Sequence, residues 1–109
     1  MSKKEFPKSE TFKFAASVDY AAAAIVSKTV LKNPKGNVSL FAFDKEEGLS
    51  EHTAPFDALV QIVDGTAEVL IQGKSYILSA GECIIMPANV PHALNAVERF
   101  KMVLTMIKE

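Results

Sequence analysis

The chain has 109 residues and a mass of 11.8 kDa, which is room for one domain of ordinary size. With 49% hydrophobic and 23% charged residues, its composition is globular and excludes collagen-like, coiled-coil and disordered chains. Twelve Lys and Arg against thirteen Asp and Glu leave a net charge of -1, too balanced for an electrostatic grip on phosphates, so nucleic acid is not an expected partner.

In chain order, residues 1–10 mix both charge signs and break at Pro7, which predicts a loose arm. Residues 1–15 are assigned to this N-terminal arm and 16–109 to a single domain. The longest apolar run near the N-terminus, 21–26, is far below the roughly 20 residues that cross a bilayer, so neither a signal peptide nor a membrane partner is expected. Cys83 is the only cysteine, which leaves no intrachain disulfide and points to a reducing, cytoplasmic location. A short helical turn is expected over 15–20, where alanines favour helix before Ile25 and Val26 favour strand.

Beyond this point closely spaced turn signals favour antiparallel strands. Asn33-Pro34-Lys35-Gly36, Asp64-Gly65, Gln72-Gly73, Ala80-Gly81 and Ala88-Asn89 separate short apolar runs, and Asp64-Gly65 is the strongest hairpin signal among them. Strands are expected over 25–31, 38–43, 58–63, 67–71, 75–78, 83–86, 92–96 and 101–107. Leu40-Phe41-Ala42-Phe43, Cys83-Ile84-Ile85-Met86 and Met102-Val103-Leu104 are apolar at consecutive positions, so both faces of these strands need cover. So small a chain has little spare material for that, and a homodimer is expected.

Candidate chemistry rests on two histidines forty residues apart, His52 and His92, each beside a turn-rich stretch. Around them, the order His52, Gly65, Gly81, Pro87, His92 resembles the two metal motifs of the cupin family, small double-sheeted barrels that are often dimeric. The resemblance implies an all-β fold, a cupin double-stranded β-helix or jelly-roll barrel with a short N-terminal arm, and brings both motifs to one site. It also shows what is missing. Where the family pattern has a second His and a Glu, this chain has Ala54 and Ala58; where it has Gly and Asn, this chain has Asn89 and Ala96. Asn89 is a mild change, since Asn tolerates the left-handed backbone of a tight turn.

Ligand count then divides the functional readings. A catalytic zinc takes three protein ligands and an oxygen-activating iron two His and a carboxylate, whereas His52 and His92 supply only two nitrogens. Alternation along the strand turns the neighbouring acids Glu51 and Asp57 away from the shared face. The first reading is a barrel that binds a small, partly apolar molecule, lined by His52, His92, Ala54, Ala58, Val60, Ile62 and Leu94, with a reduced or absent metal site and no certain cofactor. The second is a metal-dependent enzyme of oxygenase or isomerase type, in which His52 and His92 hold Fe, Zn, Ni or Mn weakly and water or substrate completes the shell. In either case one of two converging imidazoles titrates below its free value of about 6.5. Cys83 between apolar neighbours reads as an inert core thiol, Met86, Met102 and Met106 as core filling, and Glu46-Glu47 as a solvated loop.

Overall fold

A computed structural model describes residues 6–108. Eight strands form: β1 (Ile25–Asn33), β2 (Gly36–Phe43), β3 (Gly48–His52), β4 (Asp57–Ile71), β5 (Lys74–Ser79), β6 (Cys83–Met86), β7 (His92–Asn95) and β8 (Phe100–Ile107). All pairings are antiparallel. A front sheet runs β1-β2-β8-β4-β6, and a back sheet runs β3-β7-β4-β5, so the expected all-β double sheet is what the chain forms.

β4 belongs to both sheets, which corrects one expectation. Asp64-Gly65 is not a hairpin turn but the place where a single 15-residue strand passes from front to back, with the register against β8 slipping between Ile62 and Asp64. Gly65 has φ +79°, and a Cβ there would collide with the Arg99 carbonyl oxygen. Glycine is used because the neighbouring backbone comes too close for any side chain. Gln72-Gly73 is the true tight hairpin, both residues having positive φ as a type I′ turn requires. The strand lost by fusing 58–63 with 67–71 is recovered in β3, a mostly exposed edge strand paired only with β7.

Between the sheets, Phe43 and Phe100 stack at 4.5 Å, fully buried with Val60, Ile62, Val69, Leu94 and Met102. A second, smaller core lies on the outside of the front sheet. There Leu40, Ala42 and Val103 are covered by Val18, with Phe6, Phe14 and Tyr20 packed around them. The doubly apolar strands β2 and β8 thus receive part of their second cover from this chain's own N-terminal segment. The expected loose arm lies in part at residues 1–5, outside the described residues; from Phe6 onward the segment includes an apolar contact with the sheet. The expected helical turn over 15–20 is a three-residue 3₁₀ turn, Phe14–Ala16.

The segment is pinned by polar contacts as well. Tyr20 donates its hydroxyl to Asp64, and the Arg99 and Lys101 cations lie 4.4 and 4.9 Å from the Tyr20 ring centre. Burial, and then the bond to Asp64, push the Tyr20 phenol well above its usual range, so it remains a donor. Lys101 and Lys28 donate to the carbonyls of Ala15 and Ser17 at 2.6 and 2.8 Å.

Candidate functional site

His52 closes β3 and His92 opens β7, and antiparallel pairing sets the two in register. A bulge between Leu49 and His52 lets the His52 ring turn back, so that its Nδ1 lies 2.8 Å from the Ser50 carbonyl oxygen. His92 is held likewise, its Nδ1 3.1 Å from the Val90 oxygen. The rings meet edge to face with centres 4.4 Å apart and an interplanar angle of 77°, their Nε2 atoms separated by 3.2 Å.

This arrangement constrains protonation. A carbonyl oxygen only accepts, so each Nδ1 carries the hydrogen and, in a neutral ring, each Nε2 presents a lone pair. Two lone pairs 3.2 Å apart do not form a hydrogen bond between themselves. They need something between or in front of them: a proton shared when one ring is cationic, a donor group, or a cation. His92 is 4% exposed, whereas His52 is exposed on the edge strand. Burial holds His92 below its ordinary value of 6.5, the His52 charge acts in the same direction, and the Val90 carbonyl partly opposes both.

The loops that carry the two sequence motifs are stitched together around this pair. Asn89, at φ +63°, donates its backbone N–H to the Ala54 oxygen at 2.7 Å, and the Ala88 N–H is bound by the Asp57 carboxylate at 2.8 Å. Asp57 is therefore occupied in holding the loop. Ala54 lies half-buried beside the pair's supporting loop, while Ala58, Val60, Ile62 and Leu94 are 3%, 0%, 1% and 1% exposed within the main core. The four share one inner face, as alternation requires, and they act as packed wall.

The donor set decides how a metal fits. Two nitrogens at about 2.0–2.1 Å from one tetrahedral ion stand about 3.3 Å apart, close to the spacing here, and ring orientation by carbonyl oxygens is the usual support of ligating imidazoles. Among the described residues, however, no group of three His, Cys, Asp or Glu gathers anywhere. The pair offers two corners of a coordination shell, and a catalytic ion with three protein ligands does not fit.

Cys83, expected as a core thiol, is exposed on the outer side of β6. Met86 and Met102 are buried and Met106 packs against the core. Glu46 and Glu47 lie in the loop before β3, tied through their backbone to Ala96 at 2.9 and 2.8 Å. No described helix is long and apolar enough to cross a membrane.

Comparison with known proteins agrees with this fold. The family model of the cupin domain matches residues 39–108. A conserved protein of unknown function from Streptococcus pyogenes is 32% identical, with 100% of this chain and 96% of that one covered and a TM-score of 0.92. A cupin 2 conserved barrel domain protein from Leptotrichia buccalis is 41% identical over 89% of this chain, with a TM-score of 0.86; the match spans 47% of that protein's length. A cupin superfamily protein from Desulfitobacterium hafniense has the same fold at 24% identity, covering 97% of both chains with a TM-score of 0.90. No curated protein matches the sequence.

Proposed function

Because the chain belongs to the cupin family, we propose that it binds a small, partly apolar molecule through His52 and His92, without a complete metal cage. The observation that carries this reading is the convergence of two Nε2 acceptors at 3.2 Å while both Nδ1 atoms are engaged by carbonyl oxygens. A ligand that brings its own proton, such as a phenol, another hydroxyl compound, a weak acid or an ammonium, relieves the facing lone pairs. Ala54, half-buried, stands where the family pattern has a second metal-ligating His, so that position offers a ligand a methyl group and no donor. Ala58, Val60, Ile62 and Leu94 are buried in the main core, so in this reading the ligand meets the histidine pair and those side chains support the strands from within.

The test is thermal melting of untagged protein at pH 8 with phenols, short hydroxy acids and alkylamines at millimolar concentration. At least one class is expected to raise Tm in the wild type and to lose that effect in both His52→Ala and His92→Ala. Failure of every class, or protection that survives both substitutions, contradicts the reading.

The 3.2 Å spacing also favours a second reading, a metal-dependent enzyme of oxygenase or isomerase type with Fe, Zn, Ni or Mn held by the two His plus water or substrate. Elemental analysis of the same untagged samples separates the two. Near-stoichiometric metal that disappears in both variants supports the second reading; metal-free protein that still binds the organic ligand supports the first. Ala54→His with Ala58→Glu should then create metal affinity, raising it at least about 100-fold by supplying the missing donors.

A further inference from the structure

Charge is divided unevenly along the chain. Residues 1–38 carry seven Lys against three acids, whereas 39–109 carry five basic residues against ten acids. The positive part comprises the N-terminal segment and β1, and between the two runs a groove of about 1190 Å³. Phe6, Lys8, Glu10 and Phe12 stand on one wall, and residues 27–32 of β1 form the other. A groove on one face of a strand is lined by alternate residues; six in succession mean that this one follows the strand's edge. That edge is open, since β1 pairs with β2 alone among the described residues. A bulge between Thr29 and Leu31 sets Lys28 and Leu31 opposite Leu40 and Val38, on the side where the N-terminal segment packs, and Lys32 opposite Asn37 on the other. Cations thus flank the edge on both sides. The facing wall is held in place: Phe6 packs on the outer core, and the Phe12 ring centre lies 5.0 and 5.4 Å from those of Phe6 and Phe14. Phe12 and Leu31 are nevertheless 44% and 62% exposed.

We propose that this groove takes an extended acidic peptide of a partner protein, which adds to β1 as a further strand. The open N–H and C=O groups along 27–32 supply the pairing, over about 20 Å at about 3.3 Å per residue, and the added strand lies about 4.8 Å from β1, between it and the N-terminal wall. Its carboxylates meet Lys8, Lys28 and Lys32, which outnumber Glu10 in the groove lining. Its apolar side chains cover Phe12 and Leu31. Lysines on a sheet edge discourage indiscriminate pairing, and here they select the charge of the strand that is admitted. A second β1 is a poor occupant for the same reason. Antiparallel pairing centred on Val30 sets Lys28 of each chain against Lys32 of the other, and like charges directly opposed are destabilising. The site is separate from the histidine pair on β3 and β7, and its residues precede the segment 39–108 that matches the cupin domain.

The test is fluorescence anisotropy of a fluorescein-labelled peptide of alternating Glu and Val, about eight residues long, titrated with the whole chain at low salt. Saturable binding is expected, with a dissociation constant below about 100 μM. Lys8→Glu together with Lys32→Glu should weaken it at least about 10-fold, and so should raising the salt to about 0.5 M. Two checks use the wild type alone and so do not depend on how variants fold. The same peptide with Lys in place of Glu, or N-methylated throughout so that it cannot donate to β1, should not bind. Bound Glu-Val peptide should slow amide hydrogen exchange in β1 and leave the other exposed edge strand, β3, unchanged. The proposal is overturned by absence of saturable binding, by equal binding of the Lys or N-methylated peptide, by indifference to the double charge reversal, or by protection at β3 instead of β1. A second copy already seated in the groove would admit the peptide only as the chain is diluted, and that result overturns it too.

Discussion

The two halves of β4 present the same inner face and opposite outer ones. Ala58, Val60 and Ile62 in the front half, and Ala67 and Val69 in the back half, are all buried in one core. Outward, the front half shows Leu59, Gln61 and Val63, whereas the back half shows Thr66, Glu68 and Leu70. Glu68 is held below the usual carboxylate range by bonds from Ser75 and then Asn95, so it stays charged against solvent. One strand thus distinguishes a face built to be covered from a face built for water. The front is covered in part by the N-terminal segment, which stretches its apolar contacts from Phe6 to Tyr20.

The largest expected effect comes from charging the covered side. Val18, 1% exposed beneath the segment, should lose about 3–5 kcal/mol on Val18→Asp, measured by urea unfolding, while Ile77→Asp on the back sheet should stay within about 0.5 kcal/mol. Equal losses at the two sites would erase the contrast. Next comes the pivot between the halves. Gly65→Ala sets a Cβ against the Arg99 carbonyl and should cost about 3 kcal/mol or more; a change under about 1 kcal/mol would mean the passage from sheet to sheet does not depend on that approach. Tyr20→Phe removes the donor to Asp64 and should cost about 1 kcal/mol, against a few tenths for Glu68→Gln at the exposed network.

The smallest effect is in pH dependence. The folded-state pKa of His92 lies below its unfolded value, so the unfolded chain takes up the proton first as pH falls. The neutral ring's contribution is intact above about pH 6.5, is lost as pH falls from there to the depressed folded value, and changes no further below it. Tm should therefore drop between pH 7 and 5 in the wild type, and less steeply in His92→Gln. The same slope in both proteins would remove His92 from the account.

What the sequence made legible was the pattern with few physical alternatives. The closely spaced turn residues made antiparallel strands legible, while the pairing of His52 with His92 came from the resemblance of the order His52, Gly65, Gly81, Pro87, His92 to the two cupin motifs. β3 was invisible because Gly-Leu-Ser-Glu-His carries one apolar residue and depends on its contact with β7. Asp64-Gly65 misled because a dipeptide signal does not report the nearness of Arg99, thirty-four residues on. Alternation grouped Ala58, Val60, Ile62 and Leu94 on one face but could not tell a pocket lining from a packed wall, a matter decided by Phe43, Met86 and Met102 arriving from other strands. Cys83 looked buried among apolar neighbours, yet period-two geometry turns it outward with Ile85, which a stricter use of alternation would have found.

The central claim is that two imidazoles present unprotonated Nε2 atoms to a single point. Long-range ¹H–¹⁵N correlation of the histidine rings at pH 8 reads this directly. Both rings should show the Nδ1–H tautomer, and a bound ligand or added Zn²⁺ should shift both Nε2 resonances together. An Nε2–H tautomer in either ring, or a response confined to one of them, would contradict it.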